Sequence, residues 1–243
     1  MMRIDVVTIF PEFFAGPLEL SIVGRAQAAG VVEIRCHDLR DWTTDAHRTV
    51  DDAPYGGGPG MVMKPEPLFA AVEELRGGEP VPVVSFTPTG EVLTQRKVQQ
   101  LARSPRLIMI CGRYEGIDQR VCDALVTEEV SVGDYVLSGG ELPGLILIDA
   151  VVRLLPGAVG NEQSPLEDSF SEGLLEHPQY TRPADFRGLE APRELVSGHH
   201  AQVNRWRRKE SLRRTYERRP ELLAQVGLSK EDQRLLAEIV RGE

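Results

Sequence analysis

The chain has 243 residues, a hydrophobic fraction of 41% and a formal net charge of −9. That supplies enough apolar material for one large domain, or for a medium and a small one. No run of about 18 apolar residues offers a membrane-spanning helix, and Cys36, Cys111 and Cys122 are too few and too widely spaced for a disulfide framework or a zinc site.

The opening stretch, MMRIDVVTIFPEFF, carries Asp5 inside its apolar run and shows no small-residue cleavage site. It therefore reads as the start of a cytoplasmic protein rather than as a secretory signal. In chain order, strands are predicted over 3–9, 31–37, 81–86, 106–111 and 125–132. Between them the pattern predicts helices over 17–29, 65–76, 94–103 and 117–125, then an apolar helix over 143–154. Pro65 and Gly77 suit the two ends of the second helix, and Thr94 suits the N-cap of the third. Strands alternating with helices predict an α/β fold with a mainly parallel sheet covered on both faces. Near Pro156 the character changes: 157–175 is polar and rich in Gly and Ser, which reads as a long loop or linker. Further helices are predicted over 199–218, 220–226 and 229–241.

Charge is unevenly spread. Residues 182–219 hold eleven basic and five acidic side chains, a net of +6, which leaves −15 on the remainder. A basic segment on an acidic body is a candidate polyanion-binding surface; the alternative is a solvated helix face laced with ordinary salt bridges.

Three glycine-containing loops follow or join the apolar strands: SFTPTGE (85–91), CGRYEGID (111–118) and VGDYVLSGGELPG (132–144). Ligands of open α/β sheets sit beyond the carboxyl ends of the strands, and glycine lets backbone approach a ligand closely. Any one of these loops could be only a turn; together they suggest a cradle lined by main chain. Neither G-x-G-x-x-G nor G-x-x-x-x-G-K-[ST] occurs, which disfavours a dinucleotide-binding dehydrogenase and a P-loop ATPase. A backbone-lined cradle without a phosphate anchor suits an adenosine-type ligand.

The stretches GRYEGIDQRV, VSVGDYVLSGGELP and EDSFSEGLLEHPQYTRP resemble the bacterial tRNA (guanine-N1)-methyltransferases. MRIDVVTIFPEFF, DDAPYGGGPGMVMKPEP and SGHHAQVNRWRRKESL match the same pattern, so the resemblance runs in order over nearly the whole chain. It implies a SPOUT domain over 1–160, a parallel α/β sheet with a C-terminal trefoil knot. An interdomain linker over 161–175 and a small all-helical tRNA-binding domain over 176–243 would follow. It also implies S-adenosylmethionine as cofactor, a homodimer with each active site shared between subunits, and tRNA, rather than DNA or a membrane, as partner. Carried over by motif, the cofactor contacts are Thr87, Pro88, Gly90, Gly112, Glu115, Val132, Gly133, Asp134, Tyr135, Val136, Leu137, Gly139, Gly140 and Pro143, with Tyr114 among them. Ser85 and Phe86 stand where the family often has a Tyr-Leu pair, which removes an aromatic contact there.

Methyl transfer from a sulfonium needs orientation of the reactants and management of the acceptor's proton. Guanine N1 must lose a proton while charge gathers on O6, so the site needs a base near N1 and a cation near O6. The resemblance assigns these roles to Asp168 and Arg153. Read alone, Asp168 is a capping or solvated carboxylate and Arg153 a charge complementing a helix C-terminus. Their spacing brings them together by no simple helix geometry, and in the family they meet across the dimer interface. Glu167 is the neighbouring acid to test beside Asp168.

RNA contacts are expected from Glu176, His177, Arg182, Arg205, Arg207, Arg208 and Lys209, with Trp206 packed inward and the arginines facing tRNA. Glu176 falls where the family often has an acid that orders the linker. The polar linker is expected to become ordered only with tRNA. Adjacent His199 and His200 point apart on a helix, so no structural metal site is expected; a magnesium ion assisting through Glu115 or the substrate stays open. The competing readings are a related methyltransferase with another RNA acceptor, and an RNA-binding protein without catalysis.

Overall fold

The computed structural model describes residues 1–160 and 168–242. The chain divides into two compact units, Met1–Glu162 and Gln163–Glu243. Glu167 and the rest of the first part of the expected linker, 161–166, lie outside the described residues.

The first unit is built on a five-stranded sheet of β1 (Met2–Thr8), β2 (Val32–Asp38), β5 (Val83–Val92), β6 (Arg106–Ile110) and β7 (Glu128–Ser131). The order is β2-β1-β6-β5-β7 and every pairing is parallel. Two short strands, β3 (Asp51–Asp52) and β4 (Val62–Met63), pair antiparallel beside it. Helices α1 (Ala15–Glu19), α2 (Ser21–Ala28), α3 (Pro65–Arg76), α4 (Gln95–Leu101) and α5 (Gln119–Leu125) connect the strands, and α6 (Glu141–Val152) follows β7.

Alternation along the strands supplies both faces of the sheet. Ile4 and Val6 of β1 pack with Leu107, Met109, Leu147, Ile148 and Val151, while Val7 packs with Ile108, Ile110, Leu68 and Val72 on the other side. Burying each such side chain contributes roughly 1.5–3 kcal/mol. A sheet covered on both faces explains why its strands read as continuous apolar runs. Asp5 is the exception in β1. It is fully buried, with Oδ1 2.8 Å from both Arg3 Nη2 and His37 Nε2. Burial alone would push its carboxyl up, but the hydrogen bonds from His37 and Arg3 outweigh that and hold it below the ordinary carboxylate value.

The expected helix ends appear at Gly77, which takes a left-handed φ of 61°, and at Thr94, whose side chain accepts from Lys97 N. Two expectations change. The helix expected over 17–29 is broken: Leu20 is extended and Ser21 takes φ 53°. The chain folds back so tightly that a Cβ on Gly24 would lie 2.2 Å from Glu19 O, a reversal that apolar periodicity does not register. The segment 85–91 is also no simple loop after a strand. β5 pairs with β7 up to Phe86, bulges, and resumes that pairing at Glu91–Val92. Pro88 has no N–H to give a ladder, and Gly90 lets the returning strand cross β7, since a Cβ there would lie 2.5 Å from Glu129 C.

In the second unit the helices His200–Arg218 and Lys230–Arg241 pack through Leu174, Leu212, Leu235 and Ile239. A short pair, β8 (Asp185–Phe186) and β9 (Leu189–Glu190), and the helical turn Arg193–Val196 precede them. The helix expected over 220–226 stops at Leu223. Residues 168–175, expected to have little to bury, are built into this unit. Leu174 is 4% exposed, Leu175 N donates to Thr215 Oγ1, and Ser211 Oγ donates to Leu175 O.

Candidate active site

At the carboxyl ends of β5, β6 and β7 lies a cleft of about 480 Å³, formed by segments 85–89, 112–119 and 129–143. The middle and third loops are held to each other by backbone. Gly140 N donates to Gly112 O at 2.9 Å, and Arg113 and Gly139 form an isolated bridge. A fourth segment supports the middle loop: Glu115 N donates to Met61 O, and Met63 N to Gly116 O. Glycine is required at these contacts. A Cβ on Gly140 would lie 2.7 Å from Cys111 Cα, and one on Gly60 would meet Glu115 Oε1 at 2.2 Å. Gly133 takes φ 141° and accommodates the Tyr135 ring, whose hydroxyl donates to Val132 O at 3.1 Å.

Beneath the cleft runs a buried polar network. Thr8 Oγ1 donates to Glu141 Oε1 at 2.8 Å, and Glu141 Oε2 sits 2.9 Å from Arg113 Nε. Glu141 is 1% exposed and opens α6, where the helix N-terminus favours a carboxylate. Arg113 Nη1 donates to Ser138 O at 3.3 Å, and its guanidinium lies 4.7 Å from the centre of the Phe10 ring. Glu115 and Glu129 also line the cleft. With Arg113 paired to Glu141, the lining tolerates a cationic ligand. Cys122 lines it too, but burial and neighbouring Glu129 push its thiol up to about 11, so it is no nucleophile at neutral pH.

The family model for tRNA (guanine-1)-methyltransferase TrmD matches residues 2–225. The chain is 57% identical to a tRNA (guanine-N(1)-)-methyltransferase of Heliobacterium modesticaldum, covering 99% of this chain and 91% of that protein. It is 57% identical to one of Moorella thermoacetica, covering 100% and 98%, and 53% identical to one of Bacillus cereus, covering both chains fully. The chain belongs to the tRNA (guanine-1)-methyltransferase TrmD family.

Of the positions that the family motif selects, Thr87, Pro88, Gly112, Glu115, Val132, Gly133, Tyr135, Val136, Leu137, Gly139, Gly140 and Pro143 line the cleft. Gly90 and Asp134 do not line it; Gly90 serves the strand crossing described above. Sequence reasoning passed over Arg113 and Glu141. Their signal was a charged residue at the mouth of an apolar strand and another at the start of an apolar helix. Tyr114 lines the cleft with φ 62°, and burial and the Asp51 carboxylate raise its phenol. Among the described residues no group of three or more His, Cys, Asp or Glu could hold a metal ion. Arg153 caps the C-terminus of α6 and is half-buried.

In the second unit Asp168 is half-buried and opens a turn, its carbonyl accepting from Ser171 N. Glu176 ties this stretch down chiefly through its backbone: its N–H donates to Ser169 Oγ at 2.9 Å and its carbonyl accepts from Arg214 at 3.2 Å. Its carboxylate accepts from Gln179. Three of the basic residues expected on RNA are engaged within the unit. Arg208 forms two hydrogen bonds with Asp232, Arg205 pairs with Glu238, and Lys209 pairs with Glu238. Arg182 and Arg207 are exposed. Trp206 is half-buried rather than packed inward. It stands outside the apolar core, with the His177 and Tyr180 rings edge-on at 6.2 and 6.1 Å.

Proposed function

We propose that this enzyme transfers a methyl group from S-adenosylmethionine to N1 of the guanine immediately 3′ of the anticodon in tRNA. The observation that carries the reading is the cleft formed by three loops at the carboxyl ends of parallel strands in a chain of this family. The cleft fits that cofactor. Gly112, Gly133, Gly139 and Gly140 line it together with apolar and aromatic side chains, and the Glu115 and Glu129 carboxylates favour a sulfonium. When bound, S-adenosylmethionine supplies a methyl group already activated for in-line displacement.

The remaining work falls to the chain. Asp168 is the general base that takes the guanine N1 proton, and Arg153 donates to O6 as negative charge gathers there. Backbone of the three loops orients the donor. In this reading the first unit is a SPOUT domain whose C-terminal part forms a trefoil knot. Residues 161–175 form the linker carrying the base, and 176–243 the helical tRNA-binding domain. The protein acts as a homodimer whose subunits share each active site. Exposed Phe10, Phe13, Leu142 and Ile146, on α6 and the turn packed against it, supply apolar surface for a second copy. Arg182, Arg207, His177 and Tyr180 supply cations and rings for RNA.

The test is radiolabelled methyl transfer to unmodified tRNA with guanine 3′ of the anticodon, comparing wild type, Asp168→Ala, Arg153→Ala and Glu167→Ala. Labelling at guanine N1, lost in the first two variants and retained in the third, is expected. Labelling of another acceptor by wild type, or an active Asp168→Ala, would refute it.

A further inference from the structure

We infer that Glu141 is a positioning residue for the cofactor cleft, acting through Arg113. The inference rests on the reading of that cleft as the S-adenosylmethionine site. Glu141 does not line the cleft, yet it is a carboxylate held at 1% exposure, which folding tolerates only when the charge is compensated. Its compensation is directional. One oxygen accepts from Thr8 at the end of β1, and the other faces Arg113 of the middle loop. Arg113 in turn donates to the Ser138 carbonyl of the third loop. The end of β1, the middle loop and the third loop are therefore joined through a single carboxylate.

The surrounding backbone is shaped to this pair. A Cβ on Gly139 would lie 2.3 Å from Arg113 Nε and 2.6 Å from Glu141 Oε2, so only glycine lets the third loop pass over it. Phe10 covers the guanidinium from the other side, and Phe10 N donates to Thr8 Oγ1 at 3.0 Å. Glu141 thus fixes where Gly112 and Ser138–Gly140 present their backbone to the ligand. It also cancels the charge of a guanidinium in the cleft wall, which would otherwise repel a sulfonium. Neither effect requires Glu141 to touch the substrate.

The experiment titrates S-adenosylmethionine and its neutral-sulfur product S-adenosylhomocysteine into wild type, Glu141→Gln and Thr8→Val by calorimetry, well below each variant's melting temperature. Glu141→Gln is expected to weaken S-adenosylmethionine about tenfold and the product less, while KM for tRNA holds near wild type. Thr8→Val, outside the cleft, is expected to move cofactor affinity in the same direction by about threefold. It carries the test if Glu141→Gln fails to fold. A folded Glu141→Gln with wild-type affinity for both ligands would overturn the inference, as would a lowered melting temperature with unchanged affinity. Wild type that binds neither ligand would instead overturn the cofactor reading, and this inference with it.

Discussion

Asp232 links the two long helices of the second unit, and its removal has a calculable pH signature. Its carboxylate accepts from Arg208 Nε at 2.7 Å and Nη2 at 3.0 Å, and from Ser229 N and Oγ at 3.0 and 2.8 Å. Its own N–H returns a bond to Ser229 Oγ, completing a capping box. Asp232 is 5% exposed, and the Arg208 hydrogen bonds are the main reason its carboxyl falls from 3.8 to about 2. At about 1.36 kcal/mol per pKa unit, this contributes about 2 kcal/mol at neutral pH. Because the folded value lies below the unfolded one, the contribution is whole well above pH 4. It drops to about half by pH 3 and vanishes below both values. Asp232→Asn should therefore cost about 2 kcal/mol at pH 7, with a gap that narrows as pH falls. Trp42 and Trp206 are the two tryptophans, so urea unfolding followed by fluorescence in a Trp42→Phe background reports this unit. Equal stability at pH 7, or a gap that does not shrink toward pH 3, would refute the assignment.

Gly140→Ala keeps an allowed backbone at φ −82° but places its Cβ against Cys111 and Gly112 backbone. Calorimetry should show a loss of about 1–3 kcal/mol and weaker cofactor binding, whereas Gly16→Ala, with open space around its Cβ, should change neither. Asp5→Asn should cost about 3 kcal/mol by leaving Arg3 and Arg106 without their buried anion. In wild type the Asp5 contribution persists above the ordinary carboxylate range and is lost as pH falls through the depressed folded value. Acid unfolding of the variant should lack that component. Arg207→Ala should lower the salt dependence of tRNA binding by about one counterion with no stability loss. Lys209→Ala should lower stability and leave the salt slope unchanged, because its ammonium is engaged by Glu238 at 2.8 Å. Filter binding across a salt series distinguishes them.

The parallel sheet was legible because a strand buried on both faces must be apolar throughout, and because Pro65, Gly77 and Thr94 mark helix ends by their own backbone chemistry. The break at Leu20–Ser21 was not legible. Apolar spacing runs straight through it, and the left-handed φ falls on a serine rather than a glycine. The basic segment was legible as composition but not as function. Of the eleven cations between 182 and 219, Arg205, Arg208, Lys209, Arg213 and Arg219 pair with acids of the same unit. Charge counted along a chain cannot separate cations that hold helices together from cations left facing solvent.

The glycines of the cleft carry the same lesson one level further. Read from sequence, a glycine beyond a strand end leaves room for a ligand. In the structure, Gly90, Gly139 and Gly140 first leave room for protein: a crossing strand, a buried ion pair and the chain at Cys111. That changes what they do for function. A loop that is merely permissive must be ordered by its ligand, and the ordering is subtracted from affinity. Loops locked to one another through Gly112–Gly140 and Arg113–Gly139 have met that cost during folding. The cofactor then meets a surface already shaped, and binding energy from its adenosine and methionine portions remains available to orient the methyl group. Substitutions at glycines that touch no ligand atom should consequently impair cofactor binding as strongly as loss of a direct contact.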